Sequence, residues 1–226
     1  FITLIRGTRN RFGTKIPEMV KNYTKTIKGQ INNVAVDQAY DLIRKILKAD
    51  YTSEADEERI YFDEQHWVKL MYGSSGQQEA LWILMLAFVT ILENRKSFIV
   101  IEGPEAHLFP EAQKEIVKLI ALLVNVTGSK VILTTHSPYI LTSANILLYS
   151  GKVEGRRIQG KDWIVEKSFR LSYEKFKAYS VQGSGRKTIN SLMDDESHMI
   201  DTEYIDSVSE IINEELEALI EKEYEG

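Results

Sequence analysis

Residues 98–110 of the 226-residue chain read FIVIEGPEAHLFP, an apolar run followed directly by an acid. Four apolar residues before Glu102 predict a buried strand of a parallel sheet, with the acid at its carboxyl end. Ligands of such sheets gather at the carboxyl ends of the strands, where a carboxylate can hold hydrated Mg²⁺ on a nucleotide. Pro110 then fits the first turn of a helix that ends before Gly128.

The residues on either side continue this alternation of strands and helices. Gly73 begins a small flexible loop, and a long apolar helix is predicted to follow it at residues 77–94. Three elements are predicted downstream: a buried strand at 130–134, a short helix at 137–143 and a strand at 146–149. We therefore expect an α/β fold, in which a partly parallel sheet is covered by helices.

The flanking segments are less regular. Before residue 73 the pattern predicts an entry strand at 1–5, two helices at 15–48 around Gly29, and a hairpin of 60–62 with 67–71. After residue 160 it predicts a strand at 163–165, a loop at 182–186, and an amphipathic helix from Ile205 to Ile220. The apolar stripe of this helix favours docking on the protein's own core over packing against a partner helix. The expected organisation is a main lobe at 1–160, comprising a helical and hairpin portion at 1–72 and a core at 73–150, followed by an extension at 161–226.

The composition is that of an ordinary cytoplasmic globular protein. Hydrophobic residues make up 43% of the chain, and 33 acids against 28 lysines and arginines give no strongly basic footprint for nucleic acid. Cysteine is absent, so disulfides and thiolate metal sites are excluded. The longest apolar block, residues 80–92, is shorter than the about 20 residues of a bilayer span, so we expect a buried helix and no membrane partner.

Two further motifs have the chemistry to bind phosphate. Ser74-Ser75-Gly76-Gln77 lies where the long helix begins, and there unpaired backbone amides and the positive end of the helix dipole attract anions. The same residues are equally suited to capping the helix, which needs no ligand. His136 follows the next predicted strand, where its imidazole can donate to a phosphate oxygen or simply close the loop.

In this order, the three motifs resemble the second half of an ABC-type ATPase. The resemblance is closest to the branch that contains the RecF/SMC-like and OLD-family ATPases. It is carried by PEAHLFP at residues 104–110 and by THSPYIL at 135–141, and it covers residues 72–150.

The resemblance implies a role for each motif. The signature motif contacts the γ-phosphate of ATP held by the opposite subunit, and here it consists of Ser74, Ser75, Gly76 and Gln77. Glu102 takes the place of the Walker B acid that supports Mg²⁺ through water, and His136 that of the histidine that reaches the γ-phosphate. The implied unit is a homodimer closed around ATP, coupled to DNA in repair or phage defence, often with a nuclease as effector.

Two departures from the family pattern affect the expected activity. The chain has no Gly-x-x-x-x-Gly-Lys-Ser/Thr phosphate loop, so we expect the lobe that carries this loop to lie upstream of Phe1 or on another chain. Gly103 stands where the family has its catalytic glutamate, and loss of a positioned base should slow hydrolysis by about 10²- to 10⁴-fold. Glu105 is the nearest substitute, two residues on and past Pro104.

Two other functions fit parts of the sequence. The apolar run before Glu102 and Gly103 also resembles the first motif of a Toprim nuclease, but such a nuclease needs a later Asp-x-Asp pair, which the chain lacks. A degenerate dimerisation scaffold that does not hydrolyse ATP is favoured by Gly103 and by the missing phosphate loop. The phosphate-facing signature residues and His136 argue against a scaffold, which has no evident need for them.

Overall fold

A computed structural model describes residues 32–54, 57–153, 165–181 and 189–201, together with 213, 214 and 217. The chain divides into two compact units, Phe1–Ile140 with Trp163–Phe169, and Leu141–Asp162 with Arg170–Gly226. Several predicted elements fall outside the described residues: the entry strand, the helix before Gly29, the strand at 163–165 apart from Val165, the loop at 182–186 and most of the C-terminal helix. The predicted boundary at residue 160 stays a prediction.

Three helices form the core of the first unit: α1 (Asn33–Leu47), α2 (Ser75–Leu92) and α3 (Pro110–Thr127). Each packs against the other two, and their largest fully buried side chains include Ile43, Phe88 and Leu122. The predictions for these helices are confirmed, and α3 ends at Gly128, which has the left-handed φ of 66° typical of a helix C-terminus.

Helix α2 is long and apolar enough to cross a membrane if length and composition are considered alone. In the fold, 56% of this helix is buried among other protein residues, as in the core helix of a globular protein. Its position between α1 and α3 therefore explains its composition.

The first unit also contains an antiparallel sheet of three strands, which follow one another in the sheet in the same order as in the sequence: β1 (Asp50–Glu54), β2 (Glu57–Tyr61) and β3 (Trp67–Lys69). Tyr61 pairs with Trp67, which confirms the predicted hairpin. Strand β1 was not predicted, because its polar, acidic residues lack an apolar alternation. Residues Leu70–Tyr72 form one 3₁₀ turn and do not extend the third strand as predicted.

The candidate acid lies on a parallel pair of strands, β4 (Phe98–Glu102) and β5 (Lys130–Thr134), connected by α3. This strand-helix-strand unit confirms the α/β fold class with a parallel pair of strands. The predicted complete burial is wrong, because β4 alternates between buried Ile99 and Ile101 and exposed Phe98 (66%) and Val100 (60%). One face of the pair is therefore uncovered.

The segment after Ser137 differs from the prediction. Helix α4 runs without interruption over Pro138–Lys152, so the predicted short helix and the predicted strand at 146–149 form a single helix. Its buried apolar residues, Ile140, Ala144, Leu147 and Leu148, recur at the three- and four-residue spacing of a helix. A four-residue apolar run fits a buried strand equally well, which is why the local pattern was misleading.

The second unit contains most of α4 and two small antiparallel pairs: β6 (Tyr179–Val181) with β7 (Ile189–Ser191), and β8 (Met193–Asp194) with β9 (Met199–Ile200). Asn145 joins α4 to β9 by two hydrogen bonds. Its Nδ2 donates to the Ile200 carbonyl at 2.9 Å, and its Oδ1 accepts from the Ile200 amide at 2.7 Å. This buried pair of bonds explains why the middle of α4 is fixed in place.

Candidate functional site

The start of α2 is closed by hydrogen bonds among its own residues. Ser74 Oγ accepts from the Gln77 amide at 3.2 Å, and Gln77 Oε1 accepts from the Ser74 amide at 3.0 Å, which together form a capping box. The Gln77 Nε2 group also donates to the Leu47 carbonyl at 2.8 Å, which ties this helix start to the end of α1. Two of the four predicted signature residues therefore have a structural role in the helix start.

The other two signature residues differ sharply in exposure. Gly76 is buried, and a Cβ at this position would lie closer than 3.0 Å to the carbonyl oxygen of His107, so only glycine fits. Ser75 is exposed, and its hydroxyl has no hydrogen-bond partner in the described part of the chain. Ser75 is also the first helical residue, where a backbone amide lacks an intrahelical acceptor. Of the four residues, Ser75 is the one available to an external anion.

The parallel register brings the predicted acid and histidine to the same edge of the sheet. Glu102 pairs with Thr134 at the carboxyl ends of β4 and β5, and His136 follows two residues later. Both side chains are exposed, and neither makes a side-chain hydrogen bond to any residue that the structure describes. An acidic and an imidazole group are therefore both exposed at this edge of the sheet, while Gly76 of the signature motif lies against His107 in the loop after Glu102.

Gly103 has a conformational reason to be glycine. Its φ is +53°, a left-handed conformation that glycine adopts without the steric cost of a Cβ. Its amide donates to the Thr134 carbonyl at 3.0 Å and so continues the β4–β5 ladder by one bond. A Cβ built at Gly103 meets nothing within 4 Å, so a side chain has room there and the backbone alone opposes it.

Two loops follow the paired strands. We call residues 103–109 the acid loop and residues 135–137 the histidine loop. Glu105, in the acid loop, accepts two hydrogen bonds with Oε1, from Thr135 Oγ1 at 2.8 Å and from the His136 amide at 2.9 Å. Its Oε2 is buried and has no hydrogen-bond partner within the described ranges. The carboxylate thus points into the protein and joins the two loops.

A second connection between the loops runs through α3. Gln113 is buried in the first turns of α3, where its Nε2 donates to the Leu108 carbonyl at 2.8 Å and its Oε1 accepts from Ser137 Oγ at 2.5 Å. Ser137 Oγ in turn accepts from the Tyr139 amide at 3.2 Å. Sequence patterns did not single out Gln113, because a polar residue on an otherwise apolar helix signals its importance only through partners distant in sequence. Thr135 and Ser137 were noted only as members of the motif around His136.

The residues at this edge suit a magnesium ion that is bound mainly by a nucleotide. Mg²⁺ usually keeps several waters and takes one or two carboxylates together with phosphate oxygens. Glu102 supplies one exposed carboxylate of this kind. In the described ranges no three acids or histidines cluster to form a complete protein cage, so the ion would depend on bound phosphate.

A surface cleft of about 420 Å³ lies at the end of α1 and contains none of the candidate residues. Its wall includes Asp50, which accepts from Tyr40 Oη at 2.8 Å and pairs with Arg44 at 2.9 Å. Partial burial, together with the hydrogen bond to Asp50, raises the pKa of Tyr40 to about 12. Its wall carries three bases, Arg44, Lys45 and Lys48, and two acids, Asp41 and Asp50, so its excess of positive charge is small.

Comparison with known families identifies the family of this chain. A family model described as an AAA ATPase domain matches residues 8–141, more than half of the chain. The chain belongs to this family. All the candidate residues of the ATPase domain, from Ser74 to His136, lie within the matched range.

One solved structure is similar to the ATPase domain over 80% of this chain and 91% of that chain, with 13% identity and a TM-score of 0.45. It is described by the words "Structural biochemistry of ATP-driven dimerization and DNA stimulated activation of SMC ATPases". No curated protein matches the chain. The family membership therefore rests on the match over residues 8–141.

Proposed function

We propose that this ATPase domain is the second half of an ABC-type head of the RecF/SMC-like and OLD-family branch. It binds ATP with Mg²⁺ in a cytoplasmic homodimer and drives an effector, such as a nuclease, in DNA repair or defence against phage. The observation that carries the proposal is the placement of Glu102 and His136 at the ends of two adjacent parallel strands. Ligands of α/β proteins bind at such strand ends.

Three side chains have separate roles in the proposed site. Glu102 supports Mg²⁺ through water, and the ion neutralises charge on the β- and γ-phosphates. His136 donates a hydrogen bond from its imidazole to the γ-phosphate, where negative charge develops during transfer. Ser75 reaches the γ-phosphate held by the second subunit, since its hydroxyl is exposed and unbonded among the described residues while Ser74 and Gln77 are engaged in the capping box.

The main phosphate cradle comes from a lobe outside these 226 residues, on the same polypeptide or on another chain. The nearest approach to a phosphate loop, GRRIQGKD at residues 155–162, has Asp162 where the hydroxyl residue should follow. The uncovered face of β4 and β5, with Phe98, Val100 and Ile132 exposed, supports this proposal, because parallel sheets are normally covered on both faces. The 226 residues alone should therefore bind ATP poorly, and a stoichiometric, tight complex in calorimetry would contradict the proposal.

The dimer is tested by a bulky substitution at the exposed signature residue. In the complete protein, Ser75→Arg should abolish the ATP-dependent increase in mass seen by light scattering, because the side chain would fill the space of the phosphate. Ser75→Ala is the matched control, since it removes the hydroxyl and adds no bulk, and it should weaken dimerisation without abolishing it. Equal dimerisation of the Ser75→Arg variant would exclude the ATP sandwich.

Gly103 predicts slow hydrolysis, because no carboxylate occupies the usual position of the base. In the complete protein, Gly103→Glu should raise kcat for ATP hydrolysis. The upper limit of the increase is the about 10²- to 10⁴-fold acceleration that a positioned base contributes. The left-handed backbone at residue 103 reduces this gain, because any side chain with a Cβ at positive φ has a steric cost of about 1–2 kcal/mol. Gly103→Ala has the same backbone cost without a base, so the ratio of the two variants isolates the effect of the carboxylate.

A dimerisation scaffold without hydrolysis is the second candidate, and Gly103 is the observation that favours it. In that case, the Gly103→Glu and Gly103→Ala variants would have the same ATPase rate, and dimerisation would persist without ATP. A kcat that rises only in Gly103→Glu supports the ATPase and excludes the scaffold.

A further inference from the structure

Glu105 is the side chain that links the two loops most directly. Its Oε1 accepts from the hydroxyl of Thr135 and from the backbone amide of His136, at 2.8 and 2.9 Å. Its Oε2 is enclosed by protein atoms. A general base needs a carboxylate oxygen that faces the attacking water, whereas both donors to Glu105 come from the histidine loop.

These bonds fix all three residues of the histidine loop. Thr135 Oγ1 donates to Glu105 and also accepts from the Ser137 amide at 3.0 Å. The His136 amide is held directly, while its imidazole is exposed and makes no hydrogen bond to the described residues. The direction of the free imidazole is therefore set by a backbone that is bonded to the acid loop.

We propose that Glu105 is a positioning residue, which holds His136 in register with Glu102 through the Thr135 hydroxyl and the His136 amide. The strands alone fix Glu102 against Thr134, but His136 lies two residues beyond the last paired position. Glu105 supplies the missing constraint, so the acid and the histidine keep a constant separation when a phosphate binds between them. This inference rests on the proposed ATPase function.

A double-mutant cycle in the complete protein tests the positioning role. Glu105→Ala and His136→Ala should each lower kcat by about 10²-fold, the loss typical of removing one donor to a developing charge, with a smaller change in KM. The double variant should be no slower than either single variant, because both changes remove the same interaction. Multiplicative losses in the double variant would overturn the proposal.

Conservative variants separate a positioning residue from a base. In Glu105→Gln the amide oxygen still accepts both hydrogen bonds, so kcat should stay within about threefold of wild type, whereas a lost base would cost about 10²- to 10⁴-fold. Thr135→Ser keeps the bridging hydroxyl and should retain activity that Thr135→Val loses. Glu111→Ala is the control for a carboxylate on the same segment, since the Glu111 side chain is 87% exposed. A Glu105→Gln variant as slow as Glu105→Ala would assign the base role and overturn positioning.

Hydrogen exchange without nucleotide distinguishes this inference from the proposed function. The His136 amide should exchange faster in Glu105→Ala and remain protected in Glu105→Gln, and unchanged protection in Glu105→Ala would overturn the inference alone. If protection changes as expected but the wild-type protein neither binds nor hydrolyses ATP, the proposed function fails, and the assignment of His136 to a phosphate fails with it.

Discussion

The start of α2 and the pair of loops after β4 and β5 are built in opposite ways. In the helix start, Ser74 and Gln77 satisfy each other across three residues. In the loops, hydrogen bonds join positions that are 24 to 31 residues apart in sequence. A helix cap forms whenever its own turn forms, whereas the loops take their conformation only after β4, α3 and β5 have come together.

This difference determines how each region responds to the loss of one side chain. In the helix start, a lost cap leaves an exposed amide that water can satisfy. In the loops, Gln113 and Ser137 are buried and the Leu108 carbonyl is partly buried, and a buried polar group without a partner carries its desolvation cost. We therefore expect larger effects in the loops than in the helix start.

Gln113→Leu should give the largest loss of stability. The substitution keeps the volume of the side chain but leaves the Leu108 carbonyl without its donor and Ser137 Oγ without its acceptor. The expected decrease in the free energy of unfolding is about 2–4 kcal/mol. This is the lower part of the about 2–6 kcal/mol that two fully buried unsatisfied groups would cost, because the Leu108 carbonyl is only partly buried. Urea denaturation measures it, and Lys114→Ala, at an exposed neighbouring position, should stay within about 0.5 kcal/mol of wild type.

A double substitution shows whether the loss in Gln113→Leu comes from the network. Ser137→Ala in the Gln113→Leu background removes the hydroxyl that lost its acceptor, so part of the stability should return. Additive losses in the double variant would mean that the two side chains do not act as a pair.

Gly76→Ala tests a close backbone contact that joins the two regions. The added Cβ would press on the His107 carbonyl, so we expect a loss of about 1–3 kcal/mol from overpacking, which exceeds the about 1 kcal/mol that alanine gains over glycine in a helix. Ser75→Ala adds no atom near His107 and serves as the control in the same denaturation experiment. A stabilised Gly76→Ala variant would show that the acid loop can move away from the added Cβ at little energetic cost.

The sequence predicted those features that depend on neighbouring residues. The limits of α3 followed from Pro110 and Gly128, and the strands of the parallel pair followed from their apolar runs. The Ser-Ser-Gly-Gln motif allowed two interpretations, and the structure divides them between residues, with Ser74 and Gln77 capping the helix and Ser75 exposed.

Features that depend on distant partners were not predictable. Helix α4 was divided at residue 146 because an apolar run of four fits either element, and Asn145, which anchors the helix, bonds to Ile200 far along the chain. Glu105 was considered only as a substitute base. Its hydrogen bonds to the histidine loop depend on the register in which β4 pairs with β5, and that register could not be predicted from a single sequence.

Ser74→Ala should give the smallest of these effects and so sets the lower end of the comparison. The substitution removes the Oγ that accepts from the Gln77 amide, and loss of a serine cap costs typically about 1 kcal/mol. Ser74→Asp restores an acceptor at the helix start and should recover most of the stability in the same urea titration. Because the amide released in Ser74→Ala is exposed to water, the loss should remain below that of Gln113→Leu. A loss as large as that of Gln113→Leu would show that the helix start depends on the loops, and that the two regions do not form independently.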